Sequence, residues 1–274
     1  MYPLPRSEFH RFENFLDDIP FNTLFAQSVL KKKVSGSVYV DSLIDPAQFY
    51  IVHRYGMSLL YGAPDNEDFN ERFGHYIQGR LYPRAGAEWM QTFPRGWDIV
   101  LPRLIENSSD GVPLDLDVQR RVNFKFNARR HSTGRALNAE LDMLATTQST
   151  FRAMEGSVVP ASFWDSAEDF EASATGFDIV HRGRVISQAF SAFSLNGQLE
   201  LGMETLPPFR HQGLARTVCG RLIGHCLEHK LEPVWACRES NAASFGLARA
   251  LGFEPVFTLP YYRLPDVPRG RTNR

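Results

Sequence analysis

Apolar and polar positions along this chain recur with two periods, and the switches between them mark out its elements. Residues 8–18 and 22–33 space their apolar positions as helices do, and Ser35-Gly36 breaks the second before the run VYV at 38–40. After a turn at Asp45-Pro46, the segment QFYIVHRYGMSLLYG at 48–62 reads as two β-rich runs around Tyr55-Gly56. Asn66 is placed to cap a helix that runs to Gln78 and stops before Gly79. From 80 to 120 the pattern loosens. Pro83, Pro94, Pro102 and Pro113, with the turn signals Gly96-Trp97, Ser108–Gly111 and Val112-Pro113, suggest loops, and a domain boundary is expected there. The chain is therefore read as an N-terminal α/β part, 1–120, and a second part, 121–274.

The second part is more regular. VNFKF at 122–126 alternates like a strand, and 136–153 and 161–173 fit helices. Residues 176–183 and 184–195 read as paired strands joined at Arg182-Gly183, and Asn196-Gly197 is a strong hairpin turn into QLELGMET, 198–205. In that strand the Leu199, Leu201, Met203 face alternates with Glu200, Gly202, Glu204. Pro207-Pro208 stops it. From Leu214 to Lys230, Ala215, Val218, Cys219, Leu222, Ile223, Cys226 and Leu227 form an apolar stripe at helical period. A buried strand at 233–237, a short helix from Asn241 ended by Gly252, and a last strand within 255–264 complete the order.

Composition narrows the classes. The chain is 43% hydrophobic and 12% aromatic, which a disordered chain is not. A net charge of -1 with pI near 6.7 gives no basic footprint for a nucleic acid. No apolar run reaches the roughly 18 residues of a membrane span, and MYPLPRSEFHRF does not read as a signal or transit peptide. Cys219, Cys226 and Cys237 are an odd, sparse set, expected to be reduced thiols of a cytoplasmic protein.

The chemistry concentrates between the strand at 198–205 and the helix after it. In Arg210-His211-Gln212-Gly213-Leu214-Ala215, Gly213 allows a tight turn and Ala215 a close approach, so successive backbone N–H groups can face one concavity. The helix start adds the positive end of a dipole, and Arg210 a fixed charge, which together suit a pyrophosphate.

With RHQGLA at 210–215 followed by NAASFGLARALGF at 241–253, the chain resembles the GNAT superfamily of N-acetyltransferases over about 122–264. Its wider look is similar to a branch that includes zwittermicin-resistance-type acetyltransferases. The resemblance implies an α+β fold: a mixed, mostly antiparallel twisted sheet flanked by helices. The acetyltransferase domain would be 121–274, and 1–120 would be a degenerate half of the same fold or a substrate lid. It implies acetyl-CoA as co-substrate, its pyrophosphate on Arg210, His211, Gln212, Gly213, Leu214 and Ala215. Its pantetheine arm would meet backbone groups of Met203, Glu204 and Thr205 where two strands splay apart, with Asn241 and Ser244 on the next helix. Glu200 stands near the family's general base, with Glu204 as the other candidate. Where many members carry a Tyr as general acid this chain has Ala248, leaving Tyr261 and Tyr262 as substitutes.

Two rival readings remain. An acyl-CoA-binding sensor or interaction module without catalysis would explain Ala248. The spacing His225-x-x-Glu228-His229 matches a zinc-hydrolase pattern, but no third ligand is evident and no metal is expected. The expected reaction is acetyl transfer to a primary amine of a small molecule, without nucleic acid, membrane or metal; the acceptor and the oligomeric state stay open.

Overall fold

A computed structural model describes residues 1–106 and 116–264. The chain separates into two compact units, one of Met1–Arg120 with Leu259–Arg274 and one of Arg121–Thr258. The last stretch of chain thus groups with the first unit, because Tyr262, Arg263 and Leu264 pair antiparallel with Met90, Trp89 and Glu88. The turn signals at Ser108–Gly111 and Val112-Pro113 lie outside the described residues.

In the first unit the elements are β1 (Tyr2–Pro3), α1 (Leu24–Leu30), β2 (Gly36–Val40), β3 (Phe49–His53), β4 (Met57–Tyr61), α2 (Glu67–Ile77), β5 (Glu88–Phe93) and α3 (Trp97–Glu106). β1 to β4 pair antiparallel in chain order, and α2 carries the chain over to β5, which lies parallel to β4. The Asn66 side chain accepts from Phe69 N, the cap its position suggests. Phe69, Phe73 and Tyr76 of α2 pack with Trp97 and Leu101 of α3 over Tyr50, Leu60 and Met90. The 8–18 helix is instead a 3-10 turn, Arg6–Phe12: the buried Phe9 and Phe12 are three apart, which suits three residues per turn. The region read as loops holds β5 and α3. Their signals were masked by the flanking prolines and by Pro102, which sits inside α3.

The second unit contains β6 (Asp117–Phe126) from Arg121 on, β7 (Leu141–Ala145), α4 (Pro160–Phe163), α5 (Ala167–Ser173), β8 (Gly176–His181), β9 (Arg184–Leu195), β10 (Gln198–Thr205), α6 (Leu214–Glu228), β11 (Glu232–Arg238) and α7 (Ala242–Leu251). β12 (Phe253–Leu264) begins here and ends in the first unit. Its strand order is β6-β11-β10-β9-β8-β7, antiparallel except for β10 beside β11. This is the mixed, mostly antiparallel sheet flanked by helices that the sequence implies.

Asn196 and Gly197 take positive φ of 52° and 74°, the two left-handed residues of a tight hairpin. α6 lays Val218, Cys219, Leu222, Ile223 and Cys226 against Leu199, Leu201, Ile179 and Ala189, while Leu227 falls off the stripe and is exposed. Burial pushes the Cys226 thiol up to about 12, so it behaves as a packing group.

Two helix expectations in this unit are corrected. Residues 136–153 contain β7, because pairing of Leu141 to Ala145 with β8 overrides a helix-forming composition. The helix at 161–173 is two: the chain is extended at Trp164, and Ser166 starts α5 by accepting from Asp169 N at 3.0 Å.

Candidate active site

β10 and β11 run side by side for only three residues. Gln198, Leu199 and Glu200 pair with Glu232, Pro233 and Val234, after which β11 pairs Trp235 to Arg238 with β6 instead. At the same point β9 carries one extra residue: Glu200 faces Phe193 and Leu201 faces Ser191, so Ala192 is bulged out. β10 therefore departs from β11 just beyond Glu200, and the edge of Leu201–Thr205 turned toward β11 has no strand partner among the described residues.

The backbone on that edge alternates. Leu206 N donates to Ile186 O, so Glu204 and Gly202 also direct their backbone groups toward β9, and Met203 and Thr205 direct theirs into the gap. Of the three residues expected to meet a pantetheine arm, Met203 and Thr205 thus turn their backbone groups into this gap and Glu204 does not.

The loop beyond β10 is shaped by its own contacts. Arg210 Nε donates to Thr205 O at 2.9 Å and Arg210 Nη2 pairs with Glu204 Oε1 at 3.2 Å. Gln212 Nε2 donates to Pro208 O at 3.2 Å. His211 and Gly213 have φ of 63° and 83°, which swings the chain into α6. The first backbone bond into the helix is Thr217 N to Gly213 O, so the N–H groups of Leu214, Ala215 and Arg216 are left at the helix end. A Cβ built on Gly213 meets nothing within 4 Å. The turn presents bare backbone donors to open space, which fits a pyrophosphate.

The two faces of β10 differ. Leu199 and Leu201 pack under α6, whereas Glu200, Gly202 and Glu204 point to the opposite side. Glu200 is 5% exposed and forms an ion pair with Arg121 of β6 at 3.3 Å. Glu204 is less enclosed, with Val158 N 3.5 Å from its Oε2. Arg121 was not among the sequence candidates; a charged residue opening an alternating strand is its only signal.

The comparisons with known proteins bear on this arrangement. A family model described as GNAT acetyltransferase matches residues 14–262. The chain belongs to the GNAT acetyltransferase family. It is 25% identical over 261 residues to a Bacillus subtilis (strain 168) protein called uncharacterized N-acetyltransferase YdfB, covering 94% of this chain and 97% of that one. Among solved structures it is similar to a GCN5-related N-acetyltransferase-like protein of Streptococcus suis 89/1591, with TM-score 0.67, 19% identity, and 93% and 98% of the two chains covered. A tandem GNAT protein from the clavulanic acid biosynthesis pathway matches with TM-score 0.59 and 12% identity over 98% of this chain and 99% of that one. The chain is an N-acetyltransferase, and enzymes of this family take the acetyl group from acetyl-CoA.

The other GNAT positions fall out as follows. Asn241 Oδ1 accepts from Ser244 N at 3.1 Å, and Ser244 Oγ accepts from Trp235 Nε1 at 3.2 Å, so both start α7 and tie it to β11. Ala248 is fully buried. Tyr261 stacks on Trp89 and Tyr262 donates to Asp98 Oδ1 at 2.6 Å, so both rings pack within the first unit. His225, Glu228 and His229 have ligand atoms within 4.8 Å of one another at the end of α6. The two imidazole rings stack at 4.0 Å, His229 Nδ1 engages His225 O, and burial, followed by the charge of His229, lowers the His225 pKa. No helix among the described residues is long and apolar enough to cross a membrane.

Proposed function

We propose that this GNAT enzyme transfers the acetyl group of acetyl-CoA to a primary amine of a small molecule. The observation that carries the reading is the parting of β10 from β11 directly before the Gly213 turn. The N–H groups from Gly213 to Arg216 receive the pyrophosphate, with Arg210, His211 and Gln212 forming the turn. Met203 and Thr205 offer backbone groups to the arm. Asn241 and Ser244 border it from α7 while holding that helix's first turn. The bound thioester supplies the activated acetyl group.

Glu200 and Glu204 face away from α6, and Glu204 also pairs with Arg210 of the loop, so an acceptor reaching them approaches on the face of β10 opposite α6. A protonated amine, with pKa near 10, must lose its proton before it attacks. Glu200 is the first candidate for that base and Glu204 the second. With Ala248 buried and both tyrosines engaged elsewhere, no side-chain acid is assigned; a thiolate of pKa about 8–9 leaves unaided. The His225, Glu228, His229 group takes no part.

The unit of Met1–Arg120 is read as a degenerate GNAT half, since β2-β3-β4-α2-β5-α3 repeats the order β8-β9-β10-α6-β11-α7. The tandem GNAT likeness supports this. Here β4 and β5 stay paired over Met57–Tyr61 and Glu88 is followed by Trp89–Phe93 in register, leaving no gap. Glu67 and Asp68 also place negative charge in the first turn of α2, where a phosphate would be repelled.

The test is acetylation of a library of small amines by the purified enzyme with acetyl-CoA and a chelator, read by mass spectrometry. Amine products gaining one acetyl group are expected. Coenzyme binding without any transfer would favour a sensor, and activity lost in chelator would return the metal reading.

A further inference from the structure

The face of β10 that carries Glu200 and Glu204 holds a second polar feature, which the coenzyme slot leaves unused. Asp178 of β8 lies opposite Gln188 of β9, and Gln188 lies opposite Glu204 of β10. Directly paired residues share a face of a sheet, so the three side chains form one row about 5 Å apart. Asp178 and Gln188 are 0% exposed, although both are polar and sit in a largely apolar layer.

Their hydrogen bonds set an orientation. Asp178 Oδ1 accepts from Thr146 Oγ1 at 2.7 Å and from Gln188 Nε2 at 2.7 Å. A carboxylate only accepts, so the NH2 end of the Gln188 amide must face Asp178. Its Oε1 is then turned away from Asp178, and the next member of the row on that side is Glu204. Gln188 Oε1 has no hydrogen-bond donor among the described residues, and neither has Asp178 Oδ2. Buried acceptors are normally paired. Glu204 cannot supply the missing donor as a carboxylate, and its oxygens already meet Arg210 Nη2 and Val158 N. The row therefore offers two neighbouring acceptors, a neutral carbonyl and a carboxylate, and a group placed between them needs two donors.

Building on the amine-acetylating reading above, we infer that Gln188 contacts the acceptor: its Oε1 takes one N–H of the amine while the Glu204 carboxylate takes another. Thr146 and Asp178 are positioning residues that aim the amide. A neutral primary amine held by its two N–H bonds keeps its lone pair for attack. A secondary amine or an alcohol has a single donor and leaves one buried acceptor unmet. The pair thus selects primary amines over their secondary and hydroxyl counterparts, as sites built to bond a donor reject analogues that lack it.

The experiment measures initial rates by thiol release on matched primary amines, secondary amines and alcohols, for wild type, Gln188→Met and Thr146→Val. Met keeps the length of the side chain and removes the acceptor. Gln188→Met is expected to raise KM for the primary amine about tenfold or more, leave KM for acetyl-CoA within about twofold, and erase the preference for the primary amine. Thr146→Val should move the same constants in the same direction by less, and it carries the test if Gln188→Met does not fold. An unchanged amine KM and preference in both variants would overturn the inference. So would a parallel rise in both KM values with a lowered Tm, which is what loss of mere packing produces. A wild type that acetylates no amine removes the underlying reading as well, and is thereby told apart from a failure of Gln188 alone.

Discussion

The two candidate bases sit in unlike settings, and mutation separates their roles. Glu200 and Arg121 are both buried, and their ion pair joins β10 to β6. Breaking a buried ion pair by removing one charge is destabilising, by up to about 3–5 kcal/mol. Glu200→Gln is therefore expected to lower stability as well as turnover, whereas Glu204→Gln, at a more open site, should spare stability. A general base contributes about 10²–10⁴ in rate. Stability by urea unfolding and kcat at saturating acetyl-CoA separate the two effects. If neither change lowers kcat as much as tenfold, the proton leaves through water. Glu200, Glu204 and Gly213 were legible because strand alternation and turn chemistry act over a few residues. Asp178 and Gln188 were not, since a lone polar residue in a strand such as GFDIVH carries no sign of the partner that a neighbouring strand will bring.

At the level of elements, the turn into α6 is the feature to test. Gly213 has φ +83°, a conformation that strains a branched residue, and open space where a side chain would project. Gly213→Val should weaken coenzyme binding strongly, by crowding the backbone donors, with far-UV circular dichroism unchanged. Arg210→Ala should weaken it less, because the guanidinium is half exposed and the backbone donors survive. A charge-assisted bond is worth roughly 1.5–3 kcal/mol at best. Calorimetry with acetyl-CoA gives the order wild type, Arg210→Ala, Gly213→Val; equal affinity for wild type and Gly213→Val would reduce the turn to a helix start. The hairpins, α6 and α7 were readable because caps and periodicity lie within one segment. β7 was not, since its strand state comes from β8, more than thirty residues away.

For the molecule as a whole, one coenzyme per chain is expected. The loop of Arg210–Ala215 has no counterpart among the described residues of the first unit, where Asn66 already accepts from Phe69 N and β5 stays zipped to β4. Titration with acetyl-CoA should give a stoichiometry near one, with micromolar affinity on the order of -8 kcal/mol. A stoichiometry of two would show that the first unit retains a working site. The family match from residue 14 extends well before the stretch where sequence motifs were visible.

The bulge at Ala192 makes that contrast concrete. β3 and β4 pair without any shift, from Phe49 opposite Tyr61 to Val52 opposite Ser58, and β4 never leaves β5. β9 and β10 skip one residue, and β10 leaves β11 at once. The strand pair whose edge opens and the pair that stays zipped thus differ by one residue of strand length. A single inserted residue in the neighbouring strand is thus the local feature that accompanies the open edge of β10.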